Sequence, residues 1–173
     1  MKNIKVSLDP QGVAKAIEEI REYQKEVENK TQILVQRLMD LGAEIARIKI
    51  ASFGALDAGD LLSSVDGYFS PLLNAGFVRV TSDHAAFVEF GTGIVGQMNP
   101  HKNGEYLSKA SWGYATGSKI FTTKNGKVGW IYPTDDGGFR FTEGMKSRPF
   151  LYETALEIQK TFPQVAKEVF SLD

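Results

Sequence analysis

The fold of the chain is decided by its N-terminal stretch, which reads DPQGVAKAIEEIREYQKEVENKTQILVQRLMDLGAEIARIKIAS from Asp9 to Ser52. Asp9 is a favourable N-cap, and Pro10 suits the first helical turn, where its missing N–H costs no hydrogen bond. One largely apolar stripe recurs at alternating spacings of four and three: Val13, Ile17, Ile20, Gln24, Val27, Thr31, Leu34, Leu38, Leu41, Ile45 and Ile48. This periodicity predicts that residues 1–52 form a helical arm.

The sequence in the middle of this arm is compatible with more than one helical arrangement. Gln24 and Thr31 interrupt the stripe, and Asn29-Lys30-Thr31 could separate two helices. The alternatives are one long helix, straight or kinked, and a helical hairpin. We favour the long or kinked helix, with residues 31–52 packed on the rest of the domain. The first half then projects or pairs with a neighbouring subunit, unless the whole stripe is intramolecular core.

From Val65 the apolar period changes to two, which indicates β-strands. The runs with strand character are Val65–Phe69, Phe77–Thr81, Ala86–Phe90, Ile120–Thr123, Val128–Tyr132 and Phe139–Thr142. Asn125-Gly126 stands between two of them, and this pair is typical of a tight β-hairpin. We therefore expect an antiparallel β meander with a long inserted loop and hairpin.

The last segment predicts an amphipathic helix. Pro149 suits its first turn, and Glu153 lies near the positive end of the helix dipole. Its apolar positions again recur at four and three: Leu151, Ala155, Ile158, Phe162, Val165 and Val169. Pro163 should kink the helix or restart it. The predicted fold class is α+β, with the C-terminal helix packed on the sheet.

The domain organisation follows from length and pattern. A chain of 173 residues without a break in composition predicts a single domain, 1–173. Within it we expect the helical arm 1–52, an α+β body formed by 53–93 and 128–173, and a flexible basic and aromatic loop and hairpin at 94–127. The segment 94–127 has few apolar residues to bury, so we expect it to be mobile in the free subunit.

Composition excludes several classes of function. The chain has no cysteine, which removes thiol catalysis and zinc sites of the cysteine type. It shows neither a signal peptide nor a run of ~20 apolar residues, so we expect a soluble protein with no membrane partner. A net charge of -1 argues against a dedicated nucleic-acid binder.

The charge is unevenly distributed along the chain. Residues 97–130 carry five lysines and one glutamate, whereas residues 51–96 carry five acidic residues and one arginine. These segments form two solvated faces, or unlike patches that meet between neighbouring subunits of an assembly.

The glycine run and the two histidines could each belong to a site of chemistry. Gly91–Gly96 matches the glycine spacing of the dinucleotide-binding fingerprint, but residues 97–104 are turn-forming where that site needs a helix. We interpret these glycines as the exit of a strand into a long loop. His84 and His101 lack the partners of a metal site or a catalytic relay, so we expect both to be partly exposed.

Carboxylates give no stronger prediction of catalysis. Asp57 and Asp60 are three residues apart, but Asp57 is interpreted as a cap or turn residue. Glu89 alternates with Val88 and Phe90, and we expect it on the solvent face of a strand. No catalytic, cofactor-binding or metal-binding residue is predicted.

Residues 94–127 interleave basic and aromatic side chains. The candidate contact residues are Lys102, Tyr106, Lys109, Trp112 and Tyr114. Exposed aromatic residues are common at protein contacts, and aromatics among lysines can also stack on single-stranded nucleic acid. We favour the protein partner.

Three motifs of the chain occur together in one family: DAGDLLSSV (57–65), HAAFVEFGTG (84–93) and GMKSRPFLYETA (144–155). In these segments, and over most of residues 35–165, the chain resembles phage virion proteins that sit at the neck of tailed phages. The matching residues are Asp57, Gly59, Leu61, Ser64 and Val65; Ala85, Val88, Glu89, Phe90, Gly91, Thr92 and Gly93; and Gly144, Arg148, Pro149, Phe150, Leu151 and Ala155. The chain departs from the family pattern at Ala58 (often Thr), at His84 (often Tyr) and in having no proline before Asp57.

The resemblance implies a structural role with no enzymatic activity and no cofactor. The matched residues would be fold and contact positions in a ring-forming subunit that joins the phage head to the tail. The implied partners are further copies of the chain, head–tail connector or stopper proteins, and tail-terminator or tail-tube proteins, with a passing contact with packaged DNA. Synthesis would occur in the bacterial host cytoplasm and the final location would be the virion neck or tail. The alternatives are a tail-terminator or tail-completion protein and, in another class, an enzyme acting on the host wall or nucleic acid.

Overall fold

The N-terminal stretch forms one long helix. The computed structural model describes residues 5–54, 58–114, 119–134 and 136–171. Helix α1 (Pro10–Ser52) has 43 residues, and the Asp9 side chain accepts a hydrogen bond from the Gly12 amide at 2.8 Å, which confirms the predicted N-cap. The helix continues through Thr31, whose hydroxyl donates to the Val27 carbonyl. The long helix is therefore confirmed, and the helical hairpin is wrong.

Burial divides α1 into two halves. Apart from Ala16, the buried residues lie in the second half: Leu34, Met39, Gly42, Ala43, Ala46 and Ile50. Val13, Ile17 and Ile20 are exposed in the first half. Ile48 is also exposed, although the sequence stripe includes it. An α-helix drifts by about 20° per heptad against a repeat of 3.5 residues, so Ile48 has rotated away from the packed face.

The remaining elements complete the predicted α+β class. They are α2 (Ala58–Ser63), β1 (Val65–Ser70), β2 (Ala75–Val80), α3 (Ala85–Phe90), α4 (Gly93–Met98), α5 (Gly104–Lys109), β3 (Phe121–Thr122), β4 (Val128–Pro133), β5 (Phe139–Thr142), β6 (Gly144–Met145) and α6 (Phe150–Ser171). The strands form two antiparallel sheets, β1-β2 and β3-β4-β5. Phe121 pairs with Gly129 across the Asn125-Gly126 turn, which confirms the predicted hairpin.

Two predictions for the middle of the chain are wrong. Residues 86–90 belong to helix α3 instead of a strand, and the neighbours Val88 and Glu89 are both buried. Strand alternation would place these neighbours on opposite faces, whereas the wide buried face of a packed helix can include both. The segment expected to be a loop after Gly91 contains the short helices α4 and α5. Short apolar runs do not distinguish strand from helix by periodicity, so tertiary contacts decide.

Helix α6 packs antiparallel to α1. Lys49 pairs with Glu153 at 3.3 Å near one end of the contact, and a Cβ added to Gly42 would lie 2.8 Å from Ile158 Cδ1 further along. Thus α1 is the main partner of α6, and the β1–β2 hairpin also packs on α1, where Gly42 lies between Val78 of β2 and Ile158 of α6. Helix α6 continues through Pro163 without restarting.

The buried face of α6 differs from the predicted stripe. Ala155 and Phe162 are exposed, whereas Thr154 is buried and Thr161 is half-buried. The Thr154 hydroxyl donates to the Phe150 carbonyl at 2.7 Å, and the Thr161 hydroxyl bonds the Glu157 carbonyl at 3.0 Å. These intrahelical hydrogen bonds allow threonines on the packed face, because their polar groups are satisfied.

Candidate functional site

The three sequence motifs meet in one hydrophobic core. Leu61 and Val65 from the first motif, Val88 from the second and Phe150 from the third are buried in a single cluster. Ala43, Ala46 and Ile50 of α1 complete it. Phe150 has no exposed surface. We call the contact between residues 88–93 and residues 143–152 the motif junction.

Glu89 is the polar centre of the motif junction. Its Oε2 accepts a hydrogen bond from the Leu151 amide at 2.9 Å, and its Oε1 accepts one from the Tyr152 amide at 3.0 Å. These amides belong to the first turn of α6, whose N–H groups have no partner within the helix. A side chain of α3 therefore caps α6.

His101 is the third partner of Glu89. Its Nε2 lies 3.1 Å from Glu89 Oε1, and its Nδ1 accepts a hydrogen bond from the Asn103 amide at 3.1 Å. Because Nδ1 is an acceptor, the hydrogen of the neutral ring lies on Nε2 and points to the carboxylate. Glu89 and His101 are each 3% exposed. The expectation that Glu89 lies on a solvent face and that His101 is partly exposed is therefore wrong. Leu151 and Tyr152 of α6, which contact these side chains, come from a distant part of the chain.

The environment of Glu89 opposes its charge by burial and compensates for this only in part by hydrogen bonds. Burial raises the pKa of Glu89, and the amides of Leu151 and Tyr152, together with His101, act in the opposite direction. All three neighbours donate hydrogen bonds to the carboxylate. This arrangement holds three segments of the chain together and leaves the carboxylate inaccessible from solvent.

Backbone contacts close the junction around this side chain. The Arg148 amide donates to the Val88 carbonyl at 2.8 Å, and the Ser147 hydroxyl donates to the Glu89 carbonyl at 2.6 Å. Thr92 forms an isolated antiparallel bridge with Met145, whose amide donates to the Thr92 hydroxyl. The Nε atom of Arg148 is buried and has no hydrogen-bond acceptor among the described residues.

Glycines permit the close approach of the two chain segments that form the motif junction. Gly91 has φ +81°, and a Cβ there would lie 2.7 Å from the Ser147 amide nitrogen. Gly144 has φ +99°, and a Cβ there would lie 2.0 Å from the Thr92 carbonyl oxygen. Residues with a side chain rarely adopt such positive φ values, and at these distances a Cβ atom would clash with the facing backbone. Gly93, also in the second motif, pairs with Gly144.

An aromatic cluster covers the same junction. The His101 ring centroid lies 5.3 Å from that of Phe90, 6.0 Å from that of Tyr106 and 5.3 Å from that of Tyr152. Trp112 lies 5.1 Å from Phe90, and its Nε1 donates to the Gly91 carbonyl at 2.9 Å. The rings of this segment are thus packed on the body, whereas α5 itself has no buried residue, as the expectation of little to bury implies.

The five candidate partner residues fall into two groups. Lys102 and Lys109 are exposed and form ion pairs with Glu153 and Glu105, respectively. Tyr106 packs on His101 but remains half-exposed, whereas Trp112 and Tyr114 are partly buried. The aromatic residues therefore contribute to intramolecular packing, and the lysines are the more accessible of the set.

Among the remaining matched residues, Ser64, Ala85 and Pro149 have structural positions, whereas Ala155 is exposed. The Ser64 hydroxyl donates to the Leu61 carbonyl at 2.8 Å, and Ala85 packs against the core. Pro149 is buried immediately before α6, whereas Gly59 has open space around its Cα. Asp57 lies outside the described residues.

Sequence reasoning missed His101 as a partner of Glu89. The two residues are twelve apart in the chain and lie in different elements, so no helical or strand spacing predicts their contact. The available signal was a carboxylate within an apolar run, which requires donors wherever the run is buried.

Among the described residues, no group of three His, Asp or Glu side chains could hold a metal ion, and no helix is long and apolar enough to span a membrane. No family model, curated protein or solved structure matches the chain.

Proposed function

We propose that the chain is a structural virion protein of the phage neck, which forms a ring and joins the head to the tail. The observation that carries this proposal is the motif junction. The residues that resemble the neck family are distributed over three distant segments, and their side chains and backbone meet to form one core and one capped helix. Their roles are those of fold positions, as the resemblance implies.

The surface of the subunit is consistent with assembly. Large apolar side chains are exposed, including Leu72 in the β1–β2 turn, Met98 at the end of α4 and Phe139 on β5. Phenylalanine and methionine are enriched at protein contacts. The proposed partners are further copies of the chain, the head–tail connector or stopper proteins and the tail-terminator or tail-tube proteins. Packaged DNA would pass through the ring, and the subunit would be made in the bacterial host cytoplasm.

The test is removal of the chain from its phage, followed by electron microscopy of the particles. A joining protein is needed after heads and tails are complete, so its loss should leave DNA-filled or emptied heads beside separate tails of normal length. Supplying the wild-type chain in trans is the control and should restore joined particles. Infectious, joined particles without the chain would refute the proposal.

A tail-terminator or tail-completion role is the alternative within the virion. A terminator stops the growth of the tail tube, so its loss should give tails of irregular or excessive length. Tail length therefore distinguishes the two functions in the same experiment.

A further inference from the structure

The three-stranded sheet β3-β4-β5 has one outer face that is entirely apolar or glycine. Residues paired directly across an antiparallel sheet lie on the same face, and alternate residues along each strand share it. The pairs Phe121↔Gly129, Ile131↔Phe141 and Pro133↔Phe139 therefore form one face. We call these residues the outer sheet face.

Part of the opposite face of this sheet lies against the body, while Tyr132 on the same face is exposed. Val128 and Trp130 point to that side, where they line a cavity of about 110 Å³ with Ile94 and Gln97 of α4. The outer sheet face is turned away from the body except at Gly129, which is buried and lines the same cavity. Ile131 is 51% exposed and Phe139 is 75% exposed. A solvated face of an antiparallel sheet normally carries polar residues, so this apolar face indicates a contact with another molecule.

The projecting half of α1 carries a second uncovered apolar surface. Val13, Ile17 and Ile20 lie on one side of the helix, and Ile17 and Ile20 are 46% and 53% exposed. We call these three residues the arm stripe. The arm stripe and the outer sheet face are exposed in the same subunit, so they do not cover each other within one chain.

The outer sheet face is narrow enough for one helix to cover it. Strand β3 pairs with residues 128–129 of β4 and β5 pairs with residues 130–133, so the face is two strands wide, about 5 Å, at each level and is staggered along β4. A helix with its side chains is wider, about 10 Å. A single helix laid on the sheet would cover the outer face without leaving an uncovered strand.

The charges around the two surfaces are complementary at the β3–β4 end of the sheet. Residues 9–28 of the arm carry six acidic and three basic residues. Residues 119–134, which contain β3 and β4, carry three lysines and no acidic residue, whereas residues 135–143 carry Asp135, Asp136 and Glu143 with Arg140. Lys127 pairs with Glu143, whereas Lys119 and Lys124 have no ion-pair partner among the described residues. Opposite charges at the rim favour a defined orientation of the contact.

We propose that the arm stripe of one copy packs on the outer sheet face of a second copy of the chain. This proposal rests on the proposed function, because it names the subunit contact of the ring. Each copy offers one arm and accepts one arm, so the contact is heterologous and joins copies head to tail. Such contacts close into a ring when the rotation between neighbours allows it.

The decisive experiment mixes two variants that each lack one surface. The arm variant is Ile17→Gln with Ile20→Gln, and the sheet variant is Ile131→Thr with Phe139→Thr. All four positions are exposed, so the folded subunit should persist, as circular dichroism would check. Matched controls are Ile33→Gln, exposed on α1 outside the stripe, and Leu72→Thr, exposed on the other hairpin.

Sedimentation of the purified full chain should show oligomers for the wild type and both controls. Each surface variant alone should associate at least about tenfold more weakly, since central apolar side chains dominate such contacts. An equimolar mixture should form a complex of two chains and no larger species, because only one intact arm and one intact sheet can pair. A wild-type monomer, or a mixture that remains monomeric, would overturn the proposal. A sheet variant that still associates on its own would also overturn it, because arms that pair with arms would produce that result.

Cross-linking gives a second measurement that does not depend on loss of association. The chain contains no cysteine, so Ile17→Cys and Ile131→Cys can be joined by a short bifunctional maleimide. A mixture of the two variants should yield a 17–131 link between chains, and Ile33→Cys in place of Ile17→Cys should not. A link of equal yield from position 33 would overturn the proposal.

The proposed subunit contact and the proposed neck role can each be refuted without refuting the other. Head-to-tail association of purified chains, combined with normal particles after deletion, would refute the neck role and retain the contact. Joined, infectious particles made with either surface variant would refute the contact and retain the neck role.

Discussion

The Oε1 atom of Glu89 lies 3.1 Å from Nε2 of His101, with both residues buried. The same carboxylate caps α6 through the amides of Leu151 and Tyr152. One side chain therefore ties together α3, the segment before α5 and the start of α6. The motif residues of the second and third segments are placed by this contact and by the core beneath it.

Glu89→Ala should destabilise the protein by about 3–5 kcal/mol, because three buried donors lose their acceptor. Glu89→Gln should also destabilise it, since the side-chain amide presents N–H groups to one of the backbone donors. Thermal or urea unfolding measures both changes. Glu157→Gln is the control: its pair with Lys160 is exposed and contributes about 0–1 kcal/mol. Equal stabilities of Glu89→Ala and this control would contradict the capping role.

Phe150→Ala should cost about 3–5 kcal/mol of the free energy of unfolding, because the ring is fully buried where the motifs meet. Phe162→Ala changes the same residue type on the same helix, but Phe162 is exposed, so its effect should be much smaller. Urea unfolding curves of the two variants provide the comparison. A melting temperature of Phe150→Ala equal to that of wild type would show that Phe150 does not anchor α6.

Gly91→Ala should destabilise the protein by more than about 2 kcal/mol, since it combines a positive φ with a contact against residues 145–147. Gly59→Ala is a matched control in open space within α2, where alanine should be neutral or stabilising by about 1 kcal/mol. Differential scanning calorimetry measures both. The same effect at both positions would argue that Gly91 has no special conformational role.

Trp112→Ala should destabilise the folded chain by about 2 kcal/mol, because it removes a hydrogen bond to Gly91 and ring contacts with Phe90. A mobile segment around Trp112 would instead leave stability unchanged. Tyr132→Ala, at an exposed aromatic position, serves as the control. Chemical unfolding followed by circular dichroism avoids dependence on the lost fluorescence.

Glu153 should contribute a pH-dependent part of stability. Its hydrogen bond to Lys102, with a further contribution from Lys49, lowers the pKa of Glu153. A carboxyl with a lower pKa in the folded state stabilises that state above its unfolded pKa, and this stabilisation is lost as the pH falls through the folded pKa. Glu153→Gln should therefore be less stable than wild type at neutral pH, and the difference should shrink below about pH 4.3. A difference that stays constant down to the acid limit would contradict this linkage.

Local sequence patterns were sufficient where neighbouring residues decide the structure. The N-cap at Asp9, the length of α1, the hairpin at Asn125-Gly126 and the start of α6 after Pro149 each follow from spacings within a few residues. Caps, turns and long helical periodicities are local, so their signals survive in the sequence alone. The same patterns predicted the α+β class and the packing of the second half of α1.

The secondary structure and the packing contacts of residues 85–112 were decided by tertiary structure alone. The apolar run before Gly91 is compatible with strand or helix, and burial of Val88 beside Glu89 selects the helix. The Glu89–His101 contact, the cap on α6 and the packing of Trp112 join residues that no spacing relates. A buried carboxylate requires donors, but the sequence does not name them, because they come from whichever segments the fold brings within about 3 Å.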